Sequence, residues 1–270
     1  MPGPDKTGDG PRRTDVTMTG APLLATALRS LRAVVLDTDG VIIDSARLHA
    51  AAWKDAFDPF LEATGGQRPF DLVEDYLRHV DGRSRLDGAS AFLASRGLDL
   101  PLGDPDDVPG SGTVRALAAR KEQLFTAGLR THTIEAWPGC VRLLDALRRA
   151  RVPCAAVSAS RHATELLSAA GVLALFQTVV DGNEVRRLGL PGKPDPALFV
   201  EAARRLDVPP RDTAVVEDAL AGVEAGRRGG FGLVVGVDRT GGRISAAALR
   251  RHGADVVVAD PGELLVAGED

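Results

Sequence analysis

The stretch VVLDTDGVIID, residues 34–44, constrains what this chain can fold into more than any other. Val34, Val35 and Leu36 form an unbroken apolar run, the pattern of a strand covered on both faces, where a charge is costly. The run therefore ends at Asp37. Asp37 and Asp39, with one residue between them, each need solvent or a partner, and a strand covered on both faces needs helices above and below it.

The rest of the chain supplies those helices. Beyond residue 137, strands expected at 152–157, 178–180, 213–216, 232–237 and 254–258 alternate with helical patterns at 141–150, 163–170, 196–206 and 219–228. Such alternation predicts an α/β core, a mostly parallel sheet with helices on both faces. Between residues 46 and 130 the pattern is helical throughout. Ala50, Trp53 and Phe57 recur at helical spacing in a first helix that Pro59 is expected to stop, and further helices are expected at 71–79, 88–96 and 112–129. Residues 46–130 thus read as an all-helical cap inserted into a core made of 21–45 and 131–270. Residues 1–20, rich in Pro, Gly, Thr and charge, read as a disordered leader, and Met18 offers an alternative start to Met1.

With 270 residues, 44% of them hydrophobic, the chain is long enough to bury an enzyme-sized core, and its net charge of -4 provides no basic field for nucleic acid or an anionic membrane. The sequence shows neither a signal-peptide pattern nor a long uninterrupted apolar span, so a cytoplasmic location is expected. Cys140 and Cys154 sit in apolar segments without metal-site spacing and read as core thiols. No distinctive apolar stripe marks a subunit contact, so a monomer is expected.

In a parallel sheet of this kind, ligands collect at the carboxyl ends of the strands. Those ends carry Asp37 and Asp39, then Ser158 and Ser160, then Glu217 and Asp218, while Lys193 stands in the turn PGKPDP. Taken singly, these are ordinary features: a turn, a helix cap, charge near a helix start. Together, gathered from three strand ends and one turn, they make a site. Of the 33 Lys and Arg residues only four are Lys, so a Lys held between Gly and Pro suggests a compact point charge rather than a guanidinium fork.

Four carboxylates, Asp37, Asp39, Glu217 and Asp218, repel one another unless a cation sits among them, and an all-oxygen donor set selects a hard ion, Mg²⁺. Such an ion neutralises phosphoryl charge and lets a carboxylate attack phosphorus. Asp37, first off the strand, is the expected nucleophile; Asp39 is the expected general acid and base, and Ser158 with Lys193 holds phosphoryl oxygens. Gly40 allows a tight turn beside them.

DTDGVI, VSAS, GKPDP and VEDALAGVEAG resemble the four motifs of the haloacid dehalogenase superfamily of aspartyl-phosphate enzymes, and the chain is similar to its β-phosphoglucomutase branch. The resemblance implies substrate-binding roles for His49, Trp53, Arg85, Lys121 and Ser160. Arg85 would grip a non-transferring phosphate, and His49 would restrain premature hydrolysis. The implied activity is Mg²⁺-dependent exchange between a hexose 1-phosphate, β-glucose 1-phosphate favoured, and its 6-phosphate through a bisphosphate. The alternative is a phosphatase for a small sugar or cyclitol phosphate. Thr38, Arg161 and His162, and the basic run before Lys193, depart from the branch's usual residues.

Overall fold

A computed structural model describes residues 23–239 and 246–266. The leader expected at 1–20, with the choice of Met1 or Met18, falls outside the described residues. Six strands form one parallel sheet: β2 (Ala33–Asp37), β3 (Cys154–Val157), β4 (Thr178–Val180), β5 (Thr213–Glu217), β6 (Leu233–Val237) and β7 (Val256–Val258), in the order β4-β3-β2-β5-β6-β7. A separate antiparallel pair, β1 (Leu23–Leu24) with β8 (Leu265–Val266), closes the two described ends together, a pairing the sequence pattern did not suggest. The chain runs outward from β2 through β3 to β4, then returns to β5 on the other side of β2. That reversal opens a crevice at the carboxyl ends of β2 and β5, where Asp37 and Glu217 are the last strand residues.

Helices α5 (Pro138–Arg149), α6 (Ala163–Ala169), α8 (Ala197–Arg205), α9 (Leu220–Arg228) and α10 (Ala246–His252) belong to this core. Val34 and Leu36 pack into one apolar cluster and Val35 into another on the opposite face, so β2 is buried on both sides as its sequence requires. Helix α10, helix α7 (Gly182–Leu188) and the single turn α1 (Thr26–Arg29) were not evident in the sequence.

The helical block holds α2 (Ala46–Ala63), a π-helical turn at Tyr76–Val80, α3 (Arg85–Ser95) and α4 (Val114–Leu129). Trp53, Phe57, Phe70 and Phe92 stack into its own core. Both connections to the sheet run side by side: Ile43 bridges Ala136 antiparallel, Asp44 donates to the Glu135 carbonyl at 3.1 Å, and Trp137 to that of Ile42 at 2.9 Å.

Two helix expectations need correction. Pro59 does not stop the first helix, which continues to Ala63. An interior proline costs about 3 kcal/mol, but burying a Phe or Leu side chain returns about 1.5–3 kcal/mol each, and Phe57 and Leu61 flank the proline fully buried. Pro59 and Asp55, whose carbonyl loses its donor, both face solvent. The segment 71–79 is not a regular helix either. Asp71 Oδ1 accepts from the backbone N–H groups of Val73 and Glu74, which fixes a turn, and Asp81 N–H reaches the Tyr76 carbonyl five residues back.

Candidate active site

The first strand ends in a tight loop. Asp39 N–H donates to Asp37 Oδ2 at 3.0 Å, and Gly40, at φ 79°, turns the chain so that its N–H meets the Ile43 carbonyl at 2.9 Å. A Cβ at Gly40 would come within 1.9 Å of Asp218 Oδ2, so the absent side chain is what lets the two strand ends share one space. Thr38 is buried and donates to the Val157 carbonyl at 2.8 Å, tying β2 to β3. The unusual residue between the aspartates is therefore a cross-strand fastener.

Asp37 and Asp39 face different partners. Lys193 Nζ donates to Asp37 Oδ1 at 2.5 Å and to Glu217 Oε2 at 2.6 Å, and all three side chains are buried. Asp37, Glu217 and Asp218 each offer an oxygen within 4.8 Å of the others. Three carboxylates against one ammonium leave this corner short of positive charge. Burial holds the Asp37 and Asp218 carboxyls well above the usual range, Glu217 raising both, and Asp81 adding to the rise at Asp218. Lys193 is pushed the opposite way: burial alone would lower it, but Asp37 and Glu217 hold it above the ordinary lysine range. A corner of buried oxygen donors with unbalanced negative charge suits a hard divalent cation.

Asp39 turns away from that group. Its Oδ1 accepts from the Ser45 hydroxyl, its Oδ2 accepts from Ser158 Oγ at 3.0 Å, and His49 Nε2 lies 3.3 Å from Oδ1 in an orientation too poor for a hydrogen bond. Burial works to raise its carboxyl, yet His49, Ser45 and Ser158 hold it well below the usual range. On the other side of the imidazole, Lys121 Nζ sits 2.8 Å from His49 Nδ1. When Lys121 is an ammonium it can only donate, and Nδ1 then accepts while Nε2 carries the proton that faces Asp39. Burial and Lys121 keep His49 below its ordinary range, and burial drops Lys121 to about 7.

Trp53 closes this side, buried and 5.6 Å from Lys121 Nζ at its ring centre. Arg85, first residue of α3, pairs with Glu122 at 3.0 Å. Ser158 and Glu217 sit behind the cleft wall, while Asp37, Asp39, Ser160, Lys193 and Asp218 from the core face His49, Trp53, Arg85 and Lys121 across a cavity of about 50 Å³. Every site residue expected from the sequence thus lies at one cleft, but Asp39, expected as a fourth carboxylate around the cation, is held by Ser45 and Ser158 away from the corner that Asp37, Glu217 and Asp218 form. His79, His132 and His252 do not line it.

Several lining residues were not anticipated: Tyr76, Asp81, Arg83 and Glu122. Burial lifts Asp81 to about 7 and Tyr76 well above its ordinary range. Asp81 and Gly82 follow the π-helical turn, and Gly82 comes so close to the core that an added Cβ would lie 2.6 Å from Ala219 Cβ. Only the DG pair in VDGRSR hinted at a turn here.

A model of haloacid dehalogenase-like hydrolases matches residues 31–230. A β-phosphoglucomutase of Mycobacterium bovis is 45% identical over 87% of this chain and 92% of its own length. One from Bacillus subtilis is 30% identical over 84% of this chain and 92% of its own. Among solved structures, a Deinococcus radiodurans hydrolase of the same family, with bound phosphate and sodium, is 31% identical, with a TM-score of 0.60 over 87% of this chain and 93% of that one. A Clostridium difficile β-phosphoglucomutase, at 22% identity and a TM-score of 0.66 over 87% and 93% of the two chains, shares the fold. With its motifs, its six-stranded parallel sheet and these relatives, the chain belongs to the haloacid dehalogenase-like hydrolase family, is similar to its β-phosphoglucomutases, and is an enzyme of phosphoryl-transfer type.

Proposed function

We propose that this enzyme is a Mg²⁺-dependent phosphomutase that interconverts a hexose 1-phosphate, β-glucose 1-phosphate foremost, and its 6-phosphate. The reading rests above all on the divided roles of two aspartates at the end of β2. Asp37 faces the acidic corner and Lys193, whereas Asp39 is held by Ser45, Ser158 and His49 on the side of the helical block.

Asp37, Glu217 and Asp218 are the residues that would hold the cation, directly or through water, and when bound it supplies charge neutralisation for the phosphoryl oxygens. Asp37 attacks phosphorus, forming its Oδ–P bond as the bond from phosphorus to the sugar oxygen breaks. Asp39 takes the proton from the free hydroxyl of a bound monophosphate as that oxygen attacks the phosphorylated Asp37, breaking the Oδ–P bond and forming the bisphosphate; once the bisphosphate has turned end for end, Asp37 attacks its other phosphorus and Asp39 returns the proton to the leaving sugar oxygen. Lys193 neutralises the attacking carboxylate and the charge that builds on the phosphoryl group. Residues 46–130 act as a cap that keeps water from the phosphorylated Asp37, with Arg85 and Lys121 meeting the sugar's second phosphate. The reacting groups lie between the sheet edge and the cap, so the cap swings open for exchange, and the paired connections at 42–44 and 135–137 are the natural hinge.

Incubation with β-glucose 1-phosphate, Mg²⁺ and a trace of glucose 1,6-bisphosphate tests this directly. Glucose 6-phosphate should accumulate with little free phosphate. Stoichiometric phosphate release without isomerisation would replace the mutase with a phosphatase.

A further inference from the structure

Glu122, on α4, stands between the two halves of the molecule. Its Oε2 lies 3.0 Å from Arg85 Nη1 of α3, and its Oε1 lies 3.0 Å from His162 Nε2, on the core side at the start of α6. The imidazole's other nitrogen lies 3.4 Å from Glu165, and its ring is 5.6 Å from that of Phe125, also on α4. Glu122 and His162 are 40 residues apart and on opposite sides of the cleft, so their contact exists only while the helical block sits down on the sheet. The Arg85, Glu122 and His162 side chains are about one-fifth to one-quarter exposed, so the pairs are shielded more than a surface salt bridge and keep more of their strength.

We infer that Glu122 is a positioning residue: bridging Arg85 and His162, it latches the helical block closed and holds the Arg85 guanidinium where a substrate's second phosphate arrives. That second clause rests on the mutase reading; the latch itself does not. The ion pair with Glu122 at one end of the guanidinium steers it by charge and leaves its five N–H donors for phosphate. The positive partners also make a carboxylate tolerable beside an incoming dianion: Arg85, Lys121 and His162 all lie around Glu122.

Charge on His162 strengthens the latch. Glu122 faces it from α4 and Glu165 from its own helix, with Lys121 and Arg85 beyond Glu122 and Arg161 next in the chain. The hydrogen bond that the imidazole donates to Glu122 raises it above its ordinary range. A raised histidine stabilises the latched state most below the ordinary histidine range, and that contribution fades as pH climbs through the raised value. A neutral imidazole still donates from Nε2, so the latch weakens rather than vanishes.

The test places spin labels at Leu102→Cys on the helical block and Val200→Cys on the core, both exposed positions. Cys140 and Cys154 are buried, with burial pushing both thiols up to about 12, and will not compete for label. Without substrate, the wild-type background should give one narrow distance distribution below neutrality that broadens at alkaline pH. E122Q and H162A should be broad at every pH, and each should raise KM for sugar phosphates about tenfold, the loss expected for one charged hydrogen bond, with kcat changed less. H162N, which keeps a donor without the charge, should recover part of the narrow population and lose the pH dependence. Distance distributions unchanged in both E122Q and H162A would overturn the latch, whatever the kinetics. A wild type that only hydrolyses would overturn the mutase reading and leave the distance result to judge the latch.

Discussion

The two walls of the cleft are built on different principles. On the core wall, Asp37, Ser158, Glu217 and Asp218 follow directly from strand ends whose backbones are fixed by parallel pairing. On the opposite wall, His49, Arg85, Lys121 and Glu122 come from three helices, and each is placed by contacts between side chains. The core wall concentrates negative charge around one lysine; the helical wall concentrates positive charge around one glutamate. Chemistry that must be aimed to a fraction of an ångström belongs on the rigid wall, and recognition that must open and close belongs on the adjustable one.

Removing the proposed nucleophile should give the largest effect. D37N keeps an acceptor for Lys193 but cannot form the phosphoenzyme, and kcat should fall by at least about 10⁴-fold in a coupled glucose 6-phosphate assay. On the helical wall, R85A should cut mutase kcat/KM about 10²-fold or more while leaving hydrolysis of a small monophosphate within a few-fold, because only the bisphosphate needs a second anion contact. Equal losses on both substrates would erase the proposed division between the walls.

Stability should separate the walls as well. K193M leaves Asp37 and Glu217 buried together without their cation, and urea denaturation at neutral pH should show a loss of about 3–5 kcal/mol. K121M should cost far less, since Lys121 is itself a buried cation with no carboxylate in contact among the described residues. Burial lowers Lys121 to about 7, so between that pH and the ordinary lysine range the unfolded chain binds the extra proton and stability should rise with pH. K121M should flatten that part of the stability profile, the smallest effect of the series.

The asymmetry also explains what the sequence revealed. Asp37, Asp39, Ser158, Glu217 and Asp218 were legible because a strand end is a local pattern and a buried strand cannot hide a charge, and Lys193 because a lysine fixed between Gly and Pro is rare in this arginine-rich chain. Arg85 and Lys121 were placed only by resemblance to a family, since on intrinsic grounds each is an ordinary helical cation. Glu122 gave no local sign at all: its meaning lies in His162, 40 residues on, and in a contact that only tertiary packing creates. Pro59 misled for the opposite reason, because a local rule yielded to the burial of Phe57 and Leu61. Tyr76, inside a π-helical turn, and Asp81, just after it, stayed hidden because the turn's five-residue spacing matches neither helical nor strand periodicity.

The central claim, that one carboxylate of the core wall carries the phosphoryl group, is most directly tested by trapping the intermediate. Enzyme quenched in acid during turnover, digested and analysed by mass spectrometry, should carry one phosphoryl group on the peptide containing Asp37, and hydroxylamine should remove it. Phosphate found on another residue, or turnover with no labelled peptide under conditions where the bisphosphate is consumed, would contradict the account.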